Sequence, residues 1–96
     1  MIDQNVEQAA ELLKTIAHPL RLRILLTLLE KSTLNVSPLQ EHLRTDQSLL
    51  SQHLTKMKNR GILVSRRQGH EIYYSLADPS LIDEIKQLLN RIGSTD

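Results

Sequence analysis

The sequence predicts a mainly helical fold with one β-hairpin, in the order α-α-α-α-β-β-α. Three observations support this prediction. The apolar residues are mostly Leu and Ile, with two Tyr and no Phe or Trp, which favours leucine-rich helix packing. Five segments repeat apolar residues at a period of about 3.6. Two adjacent runs are instead rich in β-formers and alternate with a period of about two, as strands do. The 96 residues suit one domain, which we expect to span residues 1–96.

The first two helices are separated by a proline. Helical spacing of apolar residues predicts a first helix from Asp3 to Ala17. The His18-Pro19 pair ends it, because Pro disfavours helical geometry at the residue before it. Pro itself suits a first helical turn, so a second helix is expected from Pro19 to about Glu30. We expect residues 31–36 to form a connector.

Two helices joined by a short polar break follow. Ser37, followed by Pro and by Gln three residues later, fits a capping box that opens a third helix. After residues 44–46, a fourth helix is predicted over Gln47–Asn59, with Asp46 as its N-cap. Its apolar side is formed by Leu50, Leu54 and Met57.

A hairpin and a last helix complete the order. Gly61 stands where a left-handed helix terminator is expected. Residues 62–67 and 71–76 then form two β-rich runs around a Gln-Gly-His turn, which predicts an antiparallel hairpin. Pro79 opens the last helix, whose apolar stripe consists of Leu81, Ile82, Ile85, Leu88, Leu89 and Ile92.

Charge is sorted along the chain although its formal net value is only +1. Residues 1–13 carry three acids and no base. Residues 44–70 carry six bases and one acid, and residues 71–96 carry five acids and two bases. This pattern is expected of a protein whose middle segment contacts nucleic-acid phosphates.

The third and fourth helices match a helix-turn-helix, in which the second helix reads DNA. Its polar residues can bond base edges and phosphates in a major groove. Gln52 is the best candidate for a base contact, because its amide can pair with adenine. An ordinary solvated helix face would carry similar residues. The candidates on this helix are Gln47, Ser48, Ser51, Gln52, His53, Thr55, Lys56 and Lys58.

The hairpin matches the wing of a winged helix-turn-helix. Arg66, Arg67 and His70 surround its glycine turn and are candidates for contacts with the minor groove or the backbone. A hairpin that carries Arg only for solubility is the alternative. Because the hairpin directly follows the candidate reading helix within one basic segment, we favour a sequence-specific DNA-binding transcriptional regulator, with double-stranded DNA as its partner.

Three motifs resemble the ArsR/SmtB family of bacterial winged-helix repressors. LLKTIAHPLRLRILLTLL is similar to its second-helix entry, SLLSQHLTKMKNRGIL to its recognition helix, and VSRRQGHEIYYSL to its wing. The start AELLKTIAHP and the lack of Cys are most similar to a cysteine-free subset. The resemblance implies a homodimer formed by the first and last helices, repression by operator occlusion, and release by an effector.

The apolar stripes of the two terminal helices suit such a dimer independently of the resemblance. An intrachain core must claim some of the same residues. The candidate interface residues are Val6, Leu13, Leu81, Ile82, Ile85, Leu88, Leu89 and Ile92.

The family's metal sites are not expected here, and we predict no metal and no cofactor. Without Cys, the chain has neither thiolate ligands nor disulfides. The last helix contains Asp83 and Glu84 but no His, so it lacks the imidazole ligands that the family's transition-metal site there would use. The four His lack the spacing of a metal motif; His18 caps a helix junction, and His53 could donate to a DNA phosphate or to a backbone carbonyl.

Two other functions are alternatives to this prediction. A winged-helix dimerisation module that does not bind DNA would predict an apolar recognition face. An enzyme is not expected, because there is no nucleophile-base pairing and no glycine-rich phosphate loop. The sequence has no signal peptide and no apolar run of about 20 residues, so we expect a soluble cytoplasmic protein.

Overall fold

The structure, a computed structural model, describes residues 2–93; Met1 and residues 94–96 lie outside the described part. The predicted elements all form, and one short strand is added to them. In chain order the elements are α1 (Ile2–Ile16), α2 (Pro19–Lys31), β1 (Thr33–Asn35), α3 (Val36–Leu43), α4 (Gln47–Asn59), β2 (Leu63–Gln68), β3 (Glu71–Leu76) and α5 (Pro79–Gly93).

The junction between α1 and α2 forms as the sequence predicts. His18 is the N-cap of α2, and its Nδ1 accepts a hydrogen bond of 3.1 Å from the backbone N–H of Leu20. Pro19 occupies the first helical position, where the missing N–H costs nothing. The cap fixes the chain direction between the two helices.

The predicted connector over residues 31–36 is the first difference. It contains β1, which pairs antiparallel with β3 and gives a three-stranded sheet in the order β1-β3-β2. Ser32, with φ of 73°, turns the chain from α2 into this strand. Three residues are too few to show a strand period, and their pairing partners, such as Tyr74 opposite Leu34, lie far along the chain.

The start of α3 is the second difference. The helix begins at Val36, with Asn35 as its N-cap, so the predicted cap at Ser37 is wrong. Pro38 therefore stands at the third helical position. It is tolerated there because the N–H groups of a first turn have no partner within the helix. The capping pattern identified the helix but misplaced its first residue.

The core lies between α2, α3, α4, the sheet and the start of α5. The predicted apolar side of α4 is confirmed, since Leu50, Leu54 and Met57 are completely buried. The core residues are Ile16, Leu20, Ile24, Leu25, Leu28, Leu39, Leu50, Leu54, Met57, Ile62, Leu63, Tyr74, Leu76 and Ile82.

Two glycines set the path from α4 into the hairpin. Gly61 has φ of +77°, and its N–H bonds the carbonyl of Lys58 while the N–H of Ile62 bonds that of Met57. These two bonds are a Schellman helix end. Gly69, with φ of +66°, is the first residue of the two-residue turn between β2 and β3. Both positions favour Gly because other residues resist positive φ.

Helix α1 contributes little to this core. Of its side chains from Asn5 onward, those of Thr15 and Ile16 are buried and that of Leu12 is half-buried, while the others are exposed. Among the described residues, none of the helices could span a lipid bilayer.

Candidate nucleic-acid interface

One side of α4 is buried in the core, so the opposite side of the helix is exposed. Asp46 caps the helix, and its Oδ2 accepts a hydrogen bond of 3.1 Å from the N–H of Leu49, as predicted. Ser51 is half-buried on the polar side. The exposed candidates are Gln47, Ser48, Gln52, Thr55, Lys56 and Lys58. The face therefore presents amides, hydroxyls and ammonium groups without a carboxylate, since α4 contains no acidic residue.

His53 differs from the other candidates on α4. Only 8 % of its surface is exposed, and its Nδ1 accepts a hydrogen bond of 3.0 Å from Nε of Arg21. Its ring lies 4.5 Å from that of His18, centroid to centroid. The sequence left open whether His53 contacts a DNA phosphate or a backbone carbonyl; in the structure it lies on the buried side, where it joins α4 to α2 through Arg21.

The environment of His53 favours its neutral form. Burial lowers the pKa of His53 below its usual 6.5, and electrostatic interactions with His18, Arg21 and Lys56 lower it further. A neutral imidazole can accept at Nδ1, whereas a protonated one has only donors. The hydrogen bond from Arg21 therefore needs a neutral His53.

Arg21 is a residue of this region that the sequence analysis missed. Its Nη1 donates to the backbone carbonyl of Thr15 at 2.7 Å, so one guanidinium joins the end of α1 to α4. Arg21 lies outside the basic segment of residues 44–70 from which the interface was predicted. A signal existed, because Arg21 precedes Ile24 and Leu25 by three and four residues, which puts it beside the buried side of α2.

The candidate residues of the wing are all exposed. Arg66 and Arg67 lie on β2, and His70 lies in the turn. Because strand side chains alternate, the two arginines leave opposite faces of the hairpin. Arg66 pairs in register with Tyr73. The hydroxyl of Tyr73 donates to Oε2 of Glu71 at 2.8 Å, and this bond raises the pKa of Tyr73.

The candidate dimer residues separate into two groups. Ile82 is 2 % exposed and belongs to the core of one chain, so it differs from the exposed interface residue that was expected. Ile85 also packs against that core, and Leu81 and Leu89 are half-buried. The exposed apolar candidates are Val6 at 59 %, Leu13 at 57 %, Leu88 at 51 % and Ile92 at 60 %.

Possible metal ligands do not converge in the described residues. No group of three or more His, Asp or Glu side chains between residues 2 and 93 is arranged to hold an ion.

A helix-turn-helix followed by an arginine-bearing hairpin defines a winged helix-turn-helix protein of the DNA-binding regulator class. The chain belongs to the ArsR family: residues 18–65 match the family model described as "Bacterial regulatory protein, arsR family". This match confirms the family that the sequence motifs resemble, and it covers the recognition-helix motif completely.

Two relatives illustrate the range of the family. The chain is 47 % identical to the transcriptional repressor PagR of Bacillus anthracis over an alignment of 88 residues, and this alignment covers 92 % of this chain and 87 % of PagR. It is 33 % identical to the transcriptional activator HlyU of Vibrio cholerae over 91 residues, and that alignment covers 95 % of this chain and 82 % of HlyU.

Solved structures of both relatives share the fold. The crystal structure of PagR superposes with a TM-score of 0.79 at 46 % identity, covering 88 % of this chain and 97 % of that one. HlyU superposes with a TM-score of 0.81 at 33 % identity, covering 88 % and 94 %. The similarity to PagR is thereby confirmed.

Proposed function

We propose that this chain is a transcriptional repressor that binds a two-fold symmetric DNA operator as a homodimer. One observation carries the DNA-binding part. From Gln47 to His70, a stretch of 24 residues that covers α4, β2 and the turn, there is no acidic residue. The same stretch contributes five cations, namely Lys56, Lys58, Arg60, Arg66 and Arg67. A polyanion can approach such a surface without meeting a carboxylate from this stretch.

In this proposal, the recognition helix and the wing contact different parts of the DNA. Gln52 reads a base edge in the major groove, and the neighbouring hydroxyls and amides of Gln47, Ser48, Ser51 and Thr55 contact bases or phosphates. Lys56 and Lys58 neutralise phosphates. Arg66, Arg67 and His70 contact the backbone or the minor groove beside the helix. His53 is left out of this set because it is buried.

A second copy of the chain is the proposed occupant of the exposed apolar faces of α1 and α5. Val6 and Leu13 on α1 and Leu88 on α5 are each more than half exposed. Leaving such side chains in water forfeits about 25 cal/mol for each Å² of apolar area that could be buried. A symmetric dimer buries the same residues twice and brings two recognition helices to one operator.

Repression is proposed from the named activity of a relative. The PagR relative, at 47 % identity, is named a repressor, whereas the HlyU relative, at 33 %, is named an activator. A dimer that covers an operator can block transcription without a further surface. We place this activity in the cytoplasm and assign the chain no catalytic role.

Selection of DNA from a random library by the purified protein tests the proposal directly. We expect enriched sites that have two-fold symmetry and shift to one discrete complex in a mobility assay. Sites without symmetry would contradict the dimeric operator. Failure to bind any DNA at low and at moderate salt would instead favour a winged-helix module that only associates with proteins.

Transcription from a promoter that contains the enriched site tests the sign of regulation. We expect the protein to lower transcription in a purified system with RNA polymerase. An increase would identify an activator.

A further inference from the structure

A surface pocket lies between the start of α2 and the middle of α4. Arg21 contributes from α2, and the rest of its wall comes from one side of α4. The pocket combines two cations with two hydroxyls and an amide, and none of the described residues that line it is acidic. Its lining residues are Arg21, Ser51, Gln52, His53, Thr55 and Lys56.

The guanidinium of Arg21 is held in one orientation in this pocket. Its Nε donates to Nδ1 of His53 at 3.0 Å, and its Nη1 donates to the carbonyl of Thr15 at 2.7 Å. A guanidinium is planar and rigid, so two bonds fix the direction of its remaining N–H groups. Nη2 takes part in neither bond and can donate to another acceptor. Arg21 is half-buried, which limits the competition from water.

The charge around the pocket also favours an anion. The adjoining groove shares Arg21 and Lys56 and adds Lys14, Arg60 and Glu11. The carboxylate of Glu11 already accepts a hydrogen bond of 3.1 Å from Nη1 of Arg60. Four cations therefore face one engaged carboxylate. Two of these cations, Arg21 and Lys56, also contribute to the lowered pKa of His53.

We propose that Arg21 and Lys56, with the hydroxyls of Ser51 and Thr55, bind one phosphate group, and that His53 is the positioning residue that orients Arg21. This inference rests on the proposed DNA-binding function, because the phosphate belongs to the operator backbone. Gln52, the proposed base contact, also lines the pocket, and phosphates border the major groove that α4 enters. A free phosphate has the same chemistry and is separated from DNA by experiment.

The first test asks whether the two cations share one phosphate. Single phosphates of the selected operator are replaced, one at a time, by neutral methylphosphonates. We expect one position in each half-site at which the replacement weakens wild-type binding about tenfold but barely affects the Arg21→Gln and Lys56→Gln variants. Arg23→Gln, on the exposed side of the same helix, is the control and should respond like the wild type.

The salt dependence gives a second reading of the same variants. In a dimer, loss of one phosphate contact from each half-site should lower the magnitude of the log–log salt slope by about two. If Arg21→Gln fails to fold, Arg21→Met, which removes the charge but keeps a long side chain, replaces it beside Lys56→Gln. The proposed phosphate site would be refuted if the two variants lost sensitivity at different phosphates. Wild-type salt slopes in both variants would refute it as well. Absence of DNA binding by the wild type would instead refute the proposed function.

The positioning role of His53 is tested by two substitutions of similar shape. His53→Asn retains an acceptor near the place of Nδ1, whereas His53→Leu does not. We expect the Asn variant to lose less than threefold in operator affinity and the Leu variant to lose about tenfold. The affinity that the Leu variant loses should come from its contact with the methylphosphonate-sensitive phosphate. Replacing that phosphate should therefore weaken binding by the Leu variant only slightly further. Equal losses in the two variants would contradict an orienting hydrogen bond.

The source of the phosphate is distinguished by the ring signals of His53 in nuclear magnetic resonance spectra. Operator DNA should shift these signals in the wild type, whereas inorganic phosphate at millimolar concentration and constant ionic strength should leave them in place. A saturable response to inorganic phosphate that competes with DNA would reassign the pocket to a free phosphate ligand.

Discussion

Helices α1 and α4 are both amphipathic, but only α4 buries its apolar face within the chain. Leu54 of α4 is completely buried within the chain, whereas Leu13 of α1 remains 57 % exposed. Packing in α4 leaves its polar side outward, where it can read DNA. Helix α1 instead has its apolar side outward. The difference indicates that one chain is sufficient to bury the apolar side of α4, and it supports the proposal that a second chain covers α1 and α5.

The largest expected effect tests this difference directly. Leu54→Ala should lower the free energy of unfolding by about 2–5 kcal/mol, because it opens a cavity in the core. The equivalent change at Leu13 should alter unfolding of the monomer by no more than about 0.5 kcal/mol. Urea denaturation at low protein concentration measures both. Similar losses of stability at the two positions would show that the apolar face of α1 is buried within one chain.

Disrupting the proposed dimer should be the next largest effect. Leu88→Asp places a charge on the exposed apolar side of α5, so we expect monomers at micromolar concentration in sedimentation experiments. Operator affinity should fall about a hundredfold, because two half-sites are no longer bound together. Asn90→Asp, an exposed change of similar charge on the same helix, is the control. A dimer that survives Leu88→Asp would place the interface elsewhere.

Among the recognition residues, Gln52 should affect sequence preference. Gln52→Ala removes a base contact and should cost about 1–3 kcal/mol on the selected operator, with little change on random DNA. Competition between the two DNAs in a mobility assay measures the difference. An equal loss on both would reassign Gln52 to the backbone.

The wing should show the opposite behaviour. Arg66→Ala or Arg67→Ala should weaken binding to most sequences about tenfold and lower the magnitude of the salt slope by about two per dimer. Because the two side chains leave opposite faces of the hairpin, we expect one substitution to dominate. A wild-type slope in both variants would remove the wing from the interface.

The elements that the sequence predicts well carry their signals locally. The Asp46 cap and the terminator at Gly61 delimit α4, and Gly69 marks the turn of the hairpin. Strand β1 could not be predicted in this way, because it exists through its pairing with β3. The start of α3 was misplaced because its N-cap, Asn35, is also the last residue of that strand.

The candidate site likewise contains residues that local sequence patterns predict and residues that they do not. Exposed polar residues of α4 follow from helix periodicity, since the buried positions fix the opposite side. The bond between Arg21 and His53 joins residues 32 positions apart, and periodicity within either helix does not reveal it. His53 has a polar side chain and lies beside the predicted face, so its burial depends on a partner from another helix. Ile82 was assigned to the dimer for a related reason, because one stripe of α5 serves both the core and the surface.

The smallest expected effect is a pH dependence of stability that arises from His53. Its pKa is lowered in the folded chain by burial and by His18, Arg21 and Lys56. In the unfolded chain its pKa returns to about 6.5, so the unfolded state binds more protons below that value. The free energy of unfolding should therefore decrease as pH falls through 6.5, and this contribution should level off once pH is below the folded pKa.

Comparison with His53→Asn isolates this contribution, because the other titrating groups are common to both proteins. Urea denaturation at pH 7.5, 6.5 and 5.5, which are about one pH unit apart around the usual pKa of His, should give a difference between wild type and variant that changes with pH. The wild type should lose more stability than the variant on acidification. A constant difference across this range would mean that His53 does not titrate differently on folding, and that Arg21 is held in place without needing a neutral imidazole.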